Sequence, residues 1–254
     1  MQVRTLSVAV AGEKKEDCLK CSPLCQASTP LLGGESRVDF GRNSLTLLAM
    51  KSLIEEIEFA FPEEWEHRPI SDWLDLAQQR LQVYWDHFPE KPLPQYVECD
   101  FQYVAAALIH CQHQALLDGQ LFVEWGCGFG VVAGIASLLG LDAIGIEAED
   151  FLCEEAERLL ARAEIPAEIW QGNFLPHGAQ RLADDSDPLV SLSHDCEPAY
   201  DQRQMTLEDF AMVFVYPWPG EEHFLKAVFQ RFARTNALLL LYRGPYQIEL
   251  YRKL

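Results

Sequence analysis

Two hydrophobic rhythms divide the chain. Between residues 44 and 117 the apolar positions recur at helical spacing. SLTLLAMKSLIEEIEFAF (44–61) brings Leu47, Leu48, Ile54, Ile57 and Phe61 near one face, and Pro62 ends the run. SDWLDLAQQRLQVYWDHF (71–88) opens at a capping Ser71, with Trp73, Leu74, Leu81, Tyr84 and Trp85 apolar. After the proline-rich EKPLPQ, Asp100 is placed to cap a third helix, FQYVAAALIHCQHQALL (101–117), which Asp118-Gly119 closes.

From residue 119 the rhythm changes to short apolar runs alternating with helical stretches. QLFVEW, DAIGIE, AEIWQG, AMVFVY and ALLLLYRG read as buried strands. VVAGIASLL, FLCEEAERLLARAE (capped by Asp150, with first-turn acids Glu154 and Glu155) and EEHFLKAVFQRFART read as helices between them. A polar segment of roughly thirty residues, LPHGAQRLADDSDPLVSLSHDCEPAYDQRQMT, interrupts the series. The final YQIELYRKL alternates like an edge strand after a tight Gly-Pro turn. Such alternation predicts an α/β fold: a doubly wound, mostly parallel sheet covered on both faces. Residues 1–42, broken by Ser, Pro, Gly and charge, read as a flexible leader. Residues 43–118 form an N-terminal helical region or lid, and 119–254 the sheet domain.

The candidate chemistry sits where the first of these buried strands ends. VEWGCGFG (123–130) sets Gly126, Gly128 and Gly130 between a strand and a helix, an arrangement that lets bare backbone N–H groups face a ligand. A dinucleotide fingerprint needs glycine at 131, where Val131 stands, and a phosphate loop needs Lys-Ser/Thr after its last glycine, where this chain has Val-Val. The acid Glu124 at the junction suits a ligand with a positive group. Glu147, ending the next strand, is placed to take both hydroxyls of a ribose. A nucleoside with a cation and no phosphate describes S-adenosylmethionine (SAM).

On these residues the chain resembles the class I SAM-dependent methyltransferases. VEWGCGFG matches that family's first motif, IGIEAED its second and QGNF (171–174) its third, over roughly residues 119–245. The resemblance implies that Glu124 is oriented toward the methionine amino group, with Gly126, Gly128 and Gly130 wrapping that end. It implies Glu147 on the ribose, Asn173 on the adenine amino group and backbone near Phe174 at the adenine ring. Two departures stand out. Glu124 replaces the commoner aspartate, and only YQIELYRKL follows the fifth strand, which leaves the sheet short by an edge.

Substrate chemistry in that family lies after the fourth strand, here VYPWPGEEHF (215–224). The loop lacks the polar first residue of amino-directed DNA enzymes. Its prolines hold Tyr216 and Trp218 at the sheet edge, where aromatic faces and the carboxylates Glu221 and Glu222 suit a cationic or amine acceptor. Alternatively, both aromatics pack under the N-terminal helices and the acids open the next helix. Tyr216 and His223 are base candidates by location. Asp100 and Phe101 resemble a segment that covers the methionine end in several members, although Asp100 reads better as a cap.

Composition narrows the partners. A net charge of -19 over 254 residues disfavours nucleic acid and is compatible with a neutral or cationic substrate, or simply with solubility. No run approaches a membrane span, and eight cysteines without a secretory signal fit a reducing cytoplasm. Cys18, Cys21 and Cys25 lack a second CxxC to complete a zinc site, so no metal is expected and a thiol-rich tail is the reading. The expected activity is methyl transfer from SAM to a nitrogen or oxygen of a small molecule or protein. A catalytically silent SAM-fold interaction module and a protein lysine/arginine methyltransferase stay open as alternatives.

Overall fold

Every sheet position of the central strands is apolar because both faces are covered, and alternate residues feed two separate cores. The computed structural model describes residues 53–58, 65–87, 96–183 and 196–254, all within one compact unit, Ala49–Leu254. Strand β1 (Ile54–Glu56) comes first, then helices α1 (Arg68–His87) and α2 (Phe101–His113). The alternating series follows: β2 (Leu121–Trp125), α3 (Val131–Leu138), β3 (Asp142–Glu147), α4 (Asp150–Arg162) and β4 (Glu168–Gln171). The short α5 (Ala199–Arg203), β5 (Met212–Val215), α6 (Glu222–Phe232), β6 (Leu238–Gly244) and β7 (Gln247–Lys253) complete the chain.

The seven strands form one sheet in the order β1-β7-β6-β5-β2-β3-β4. Pairs from β6 through β5, β2 and β3 to β4 are parallel, while β7 runs antiparallel to β6 and to β1. The chain leaves β2 outward through β3 to β4, then returns to β5 on the other side of β2. The carboxyl ends of β2 and β5 therefore flank a topological switch point, where an open α/β sheet has its crevice. Phe122, Met212, Phe214, Leu238 and Leu240 face the core under α1 to α4. Their neighbours Val123, Val213, Val215, Leu239 and Leu241 face the core under α5 and α6.

Helix α1 docks on α3 through one close approach. A Cβ on Gly134 would lie 2.6 Å from the Trp73 ring, and the Trp73 indole N–H donates to the Val131 carbonyl at 3.0 Å. Gly134→Ala is thus expected to destabilise the protein by ~1–3 kcal/mol through overpacking, although alanine improves helix propensity by ~1 kcal/mol. A rise in the denaturant midpoint would show that the indole moves aside freely.

Several sequence expectations change. The helix expected over 44–61 meets strand β1 instead, because Ile54–Glu56 pairs with Tyr251–Lys253. Residues 44–52 and 59–61 of that stretch lie outside the described residues. The sheet edge expected to be short is filled from the N-terminal side by β1. Helix α2 ends four residues early, with Gln114 as its C-cap and Ala115 at φ 50°. Asp150 opens α4 from inside, Glu149 being the cap. Glu155 is no first-turn dipole partner; it is buried and paired with Arg80 of α1 and with Arg158. The leader and Cys18, Cys21 and Cys25 lie outside the described residues. Among the described residues no helix is long and apolar enough to cross a membrane.

Candidate active site

Five neighbouring strand ends converge on a cavity of ≈ 710 Å³. Glu124 on β2, Glu147 on β3, Asn173 and Phe174 after β4, Tyr216 and Trp218 after β5 and Arg243 on β6 all line it. Strand register explains the gathering. Trp125 sits beside Ile146 and Val215, and Glu147 beside Gln171, so the residues that follow each strand emerge together.

The glycine turn does not present bare N–H groups at most of its positions, which corrects the sequence expectation. Gly126 and Cys127 both donate to the Ile146 carbonyl, at 2.9 and 3.0 Å, and Gly130 donates to the Cys127 carbonyl at 2.8 Å. Gly128 donates to Glu147 Oε2 at 2.8 Å. What the glycines supply is backbone shape: Gly126, Gly128 and Gly130 have φ of 69°, 54° and 69°, the left-handed region. Gly128 also permits a close approach, since a Cβ there would lie 2.4 Å from the Tyr96 ring. Tyr96 in turn packs edge-on to Phe129, 5.1 Å between centroids, and lines the cavity. A turn whose N–H groups are committed internally suits a ligand without phosphate.

Both cofactor-side carboxylates are bound by backbone. Period-two alternation puts Glu124 on the α3 side of β2, where its Oε2 accepts the Ala133 N–H at 2.7 Å in the first turn of α3. Burial holds its carboxyl well above the usual range, the Ala133 N–H pulls it down, and Glu147 adds to the rise. Glu147 accepts from Gly128, Ala148 and Glu149, at 2.8, 2.8 and 3.1 Å. Burial raises its pKa as well, against the three N–H groups. The sign for stability follows: a carboxyl raised in the fold contributes most below its unfolded value, and that contribution is lost as pH rises through the folded value. Glu124→Gln keeps an acceptor for Ala133 and removes the buried charge. The variant is expected to melt higher at neutral pH without ligand and to lose part of the stability decline above about pH 4.5. Thermal melts between pH 4.5 and 8 check this, and an unchanged profile would contradict it.

At the adenine-side strand end, Asn173 is 7% exposed and its Oδ1 accepts the Leu175 N–H at 2.8 Å. Its backbone bridges the return segment, donating to the Glu197 carbonyl at 2.9 Å and accepting from Ala199 at 2.9 Å. Phe174 stacks on Trp125 at 5.3 Å and 13°. The indole N–H of Trp125 donates to the buried Tyr200 hydroxyl at 2.8 Å.

On the opposite wall, Tyr216 and Trp218 are half-buried. Tyr216 meets Tyr242 edge-on at 4.8 Å and packs on the core below α1 to α4. Burial and then Cys99 raise its phenol, so it stays protonated at neutral pH and is a wall rather than a ready base. Pro217 is buried beneath the loop. His223 is exposed in the first turn of α6 and does not line the cavity; the base assigned to it from sequence position is corrected on that ground. The two acids separate. Glu221 is 2% exposed, lines the cavity and accepts the Trp218 N–H at 3.2 Å. Glu222 is half-buried, accepts from Gly220 at 3.1 Å and faces Arg243 at 3.9 Å. Asp100 caps α2 through the Tyr103 N–H at 3.0 Å, while Phe101 lines the cavity.

Sequence reasoning missed Tyr96, Cys99, Trp125, Cys127, Arg243 and Gln247 on the lining. Only Trp125 and Cys127 carried a signal, standing between the residues of the glycine turn.

A mostly parallel seven-stranded sheet in this order, with helices on both faces and a glycine turn at the switch point, is the class I methyltransferase fold. Solved structures resemble it at low identity. An RNA methyltransferase from Salinibacter ruber, in complex with S-adenosyl-L-homocysteine, is 14% identical, with TM-score 0.38 over 64% of this chain and 92% of that one. An O-methyltransferase from Bacillus cereus, in complex with SAH, is 12% identical, with TM-score 0.42 over 70% and 67% of the two chains. A precorrin-6y C5,15-methyltransferase from Geobacter metallireducens is 15% identical, with TM-score 0.38 over 61% and 68%. No protein-family model matches the chain, and no curated protein does. The fold assignment rests on the strand order and parallel register of this chain itself.

Proposed function

We propose that the protein binds SAM in this cavity and transfers its methyl group to a nitrogen or oxygen of a neutral or cationic acceptor. The observation that carries the reading is the set of motif residues on one cavity wall: Glu124, Gly126, Glu147, Asn173 and Phe174 at adjacent strand ends of the switch point. In this reading Glu147 meets the ribose, Asn173 and Phe174 the adenine, and Glu124 the methionine ammonium. The region 43–118 supplies the cover, through Tyr96, Cys99 and Phe101. SAM, when bound, supplies the activated methyl. The chain's own groups orient it: Glu124 and Glu147 fix the ends, and Tyr216 and Trp218 wall the acceptor side. In-line attack needs the acceptor held near van der Waals contact with the methyl, which a proline-stiffened loop favours.

The lining carries five carboxylates, those of Glu124, Glu147, Glu149, Glu221 and Glu222, and one cationic side chain, Arg243. That balance and the net charge of -19 favour a neutral or cationic acceptor over a polyphosphate. Calorimetry with S-adenosylhomocysteine tests the reading. Saturable binding at one site, together with incorporation of labelled methyl into a cellular fraction, is the expected result. Binding without any transfer would favour a silent interaction module, and absence of binding would end the methyltransferase reading.

A further inference from the structure

We propose that the acceptor is an amine, anchored by the Glu221 carboxylate within the aromatic wall made by Tyr216 and Trp218. This rests on reading the cavity as a methyl-transfer site. The loop after β5 brings three features to one wall. Trp218 and Tyr216 line the cavity with their rings partly exposed, which suits a cation–π contact. Glu221 lines it too, yet is 2% exposed, so its carboxylate is screened from bulk water and acts on what enters the cavity. The Trp218 N–H bond at 3.2 Å, and the Glu221 N–H bond to the Trp218 carbonyl at 3.0 Å, fix carboxylate and indole relative to each other. A carboxylate accepts up to about four hydrogen bonds, so an ammonium is accommodated beside the Trp218 N–H. Glu222 is not equivalent, since its charge faces Arg243, which Glu249 also holds at 3.0 Å.

The nearby hydroxyl and thiol groups argue against an oxygen acceptor. An alcohol or phenol acceptor loses its proton before or during attack, which calls for a base on this wall. Burial and Cys99 raise Tyr216; burial and Glu124 raise Cys99 well above the ordinary thiol value. Both stay protonated at neutral pH. An amine makes a smaller demand. An entering R–NH3+ gives one proton to the Glu221 carboxylate, and the R–NH2 lone pair forms the N–C bond. The C–S bond breaks with its electron pair going to sulfur, so the sulfonium becomes a neutral thioether and the product is R–NH2+–CH3. Glu221 then returns its proton to solvent. Positive charge passes from sulfur to nitrogen, and a carboxylate with two aromatic faces stabilises it there.

The test uses the full chain saturated with S-adenosylhomocysteine and three probes of one shape: benzylamine, benzyl alcohol and benzoate. Thermal unfolding and tryptophan fluorescence read binding. Benzylamine is expected to bind saturably, at least tenfold tighter than the alcohol or benzoate. Glu221→Gln is expected to abolish that preference while homocysteine-nucleoside affinity stays within about twofold. Equal binding of the alcohol, no saturable benzylamine response, or a preference retained in Glu221→Gln would overturn the proposal. The comparison in the unaltered chain needs no variant, so a misfolded Glu221→Gln does not rescue it. Failure of S-adenosylhomocysteine to bind appears before any probe is added and counts against the methyl-transfer reading instead.

Discussion

Trp218→Ala is expected to reduce methyl transfer on the order of 100-fold or more while SAM affinity stays within a few-fold. The indole lines the cavity on the β5 side, away from the strand ends of β3 and β4 that hold Glu147 and Asn173. It is half-buried and belongs to neither hydrophobic core. Truncation should therefore cost much less stability than the ~3–5 kcal/mol of a fully buried aromatic. What it removes is the wall that holds the acceptor in line, and misplacement of about 1 Å at a reacting centre costs roughly 100-fold in rate. The flanking Pro217 and Pro219 restrict the loop backbone, so no neighbouring side chain is expected to swing in and replace the indole. A labelled-methyl assay, a SAM titration and a melting curve on the same variant separate the outcomes. A loss of SAM binding in a variant that melts normally would move this loop into the cofactor site. A large drop in melting temperature with normal transfer in the cold would make the indole structural.

Glu147→Ala is expected to weaken SAM and S-adenosylhomocysteine alike by ~1–3 kcal/mol, as for loss of a charged hydrogen-bond acceptor. The same change strips the buried Gly128 N–H of its acceptor, so stability should fall by a further ~1–3 kcal/mol. The Ala148 and Glu149 N–H groups are only partly buried, and water replaces the carboxylate there. Both effects have one cause: Glu147 ties the glycine turn to β3 with the carboxylate proposed to meet the ribose. Calorimetry on folded variant protein decides the first effect, and unchanged affinity would reject the ribose role. Chemical denaturation decides the second.

Much of the site was legible in the sequence because its parts are local. A strand, a left-handed glycine turn and a helix are fixed by residues 121–138 alone, and a carboxylate ending each of two such strands is readable from spacing. The alternation of apolar runs likewise determines a parallel sheet, since strands buried on both faces leave no polar side. Asp100 was recognisable as a cap for the same reason: its partner, Tyr103, is three residues away.

Only the tertiary structure decided what depends on distant partners. Ile54–Glu56 has a helical spacing of apolar residues, yet it becomes a strand because the unpaired edge of β7 offers backbone hydrogen bonds that local propensity does not foresee. The turn's N–H groups look bare in sequence, but Ile146 and Glu147 arrive from β3 and take most of them. Tyr96 lies in an irregular stretch with no pattern of its own, and its role follows from the space above Gly128. Glu221, Glu222 and His223 are consecutive, and sequence treats them as one polar patch. The start of α6 turns them apart, burying Glu221 in the cavity wall, pairing Glu222 with Arg243 and leaving His223 in solvent. Neighbours along a helix point about 100° apart, so side chains adjacent in sequence meet different surroundings, and only packing fixes which one meets the ligand.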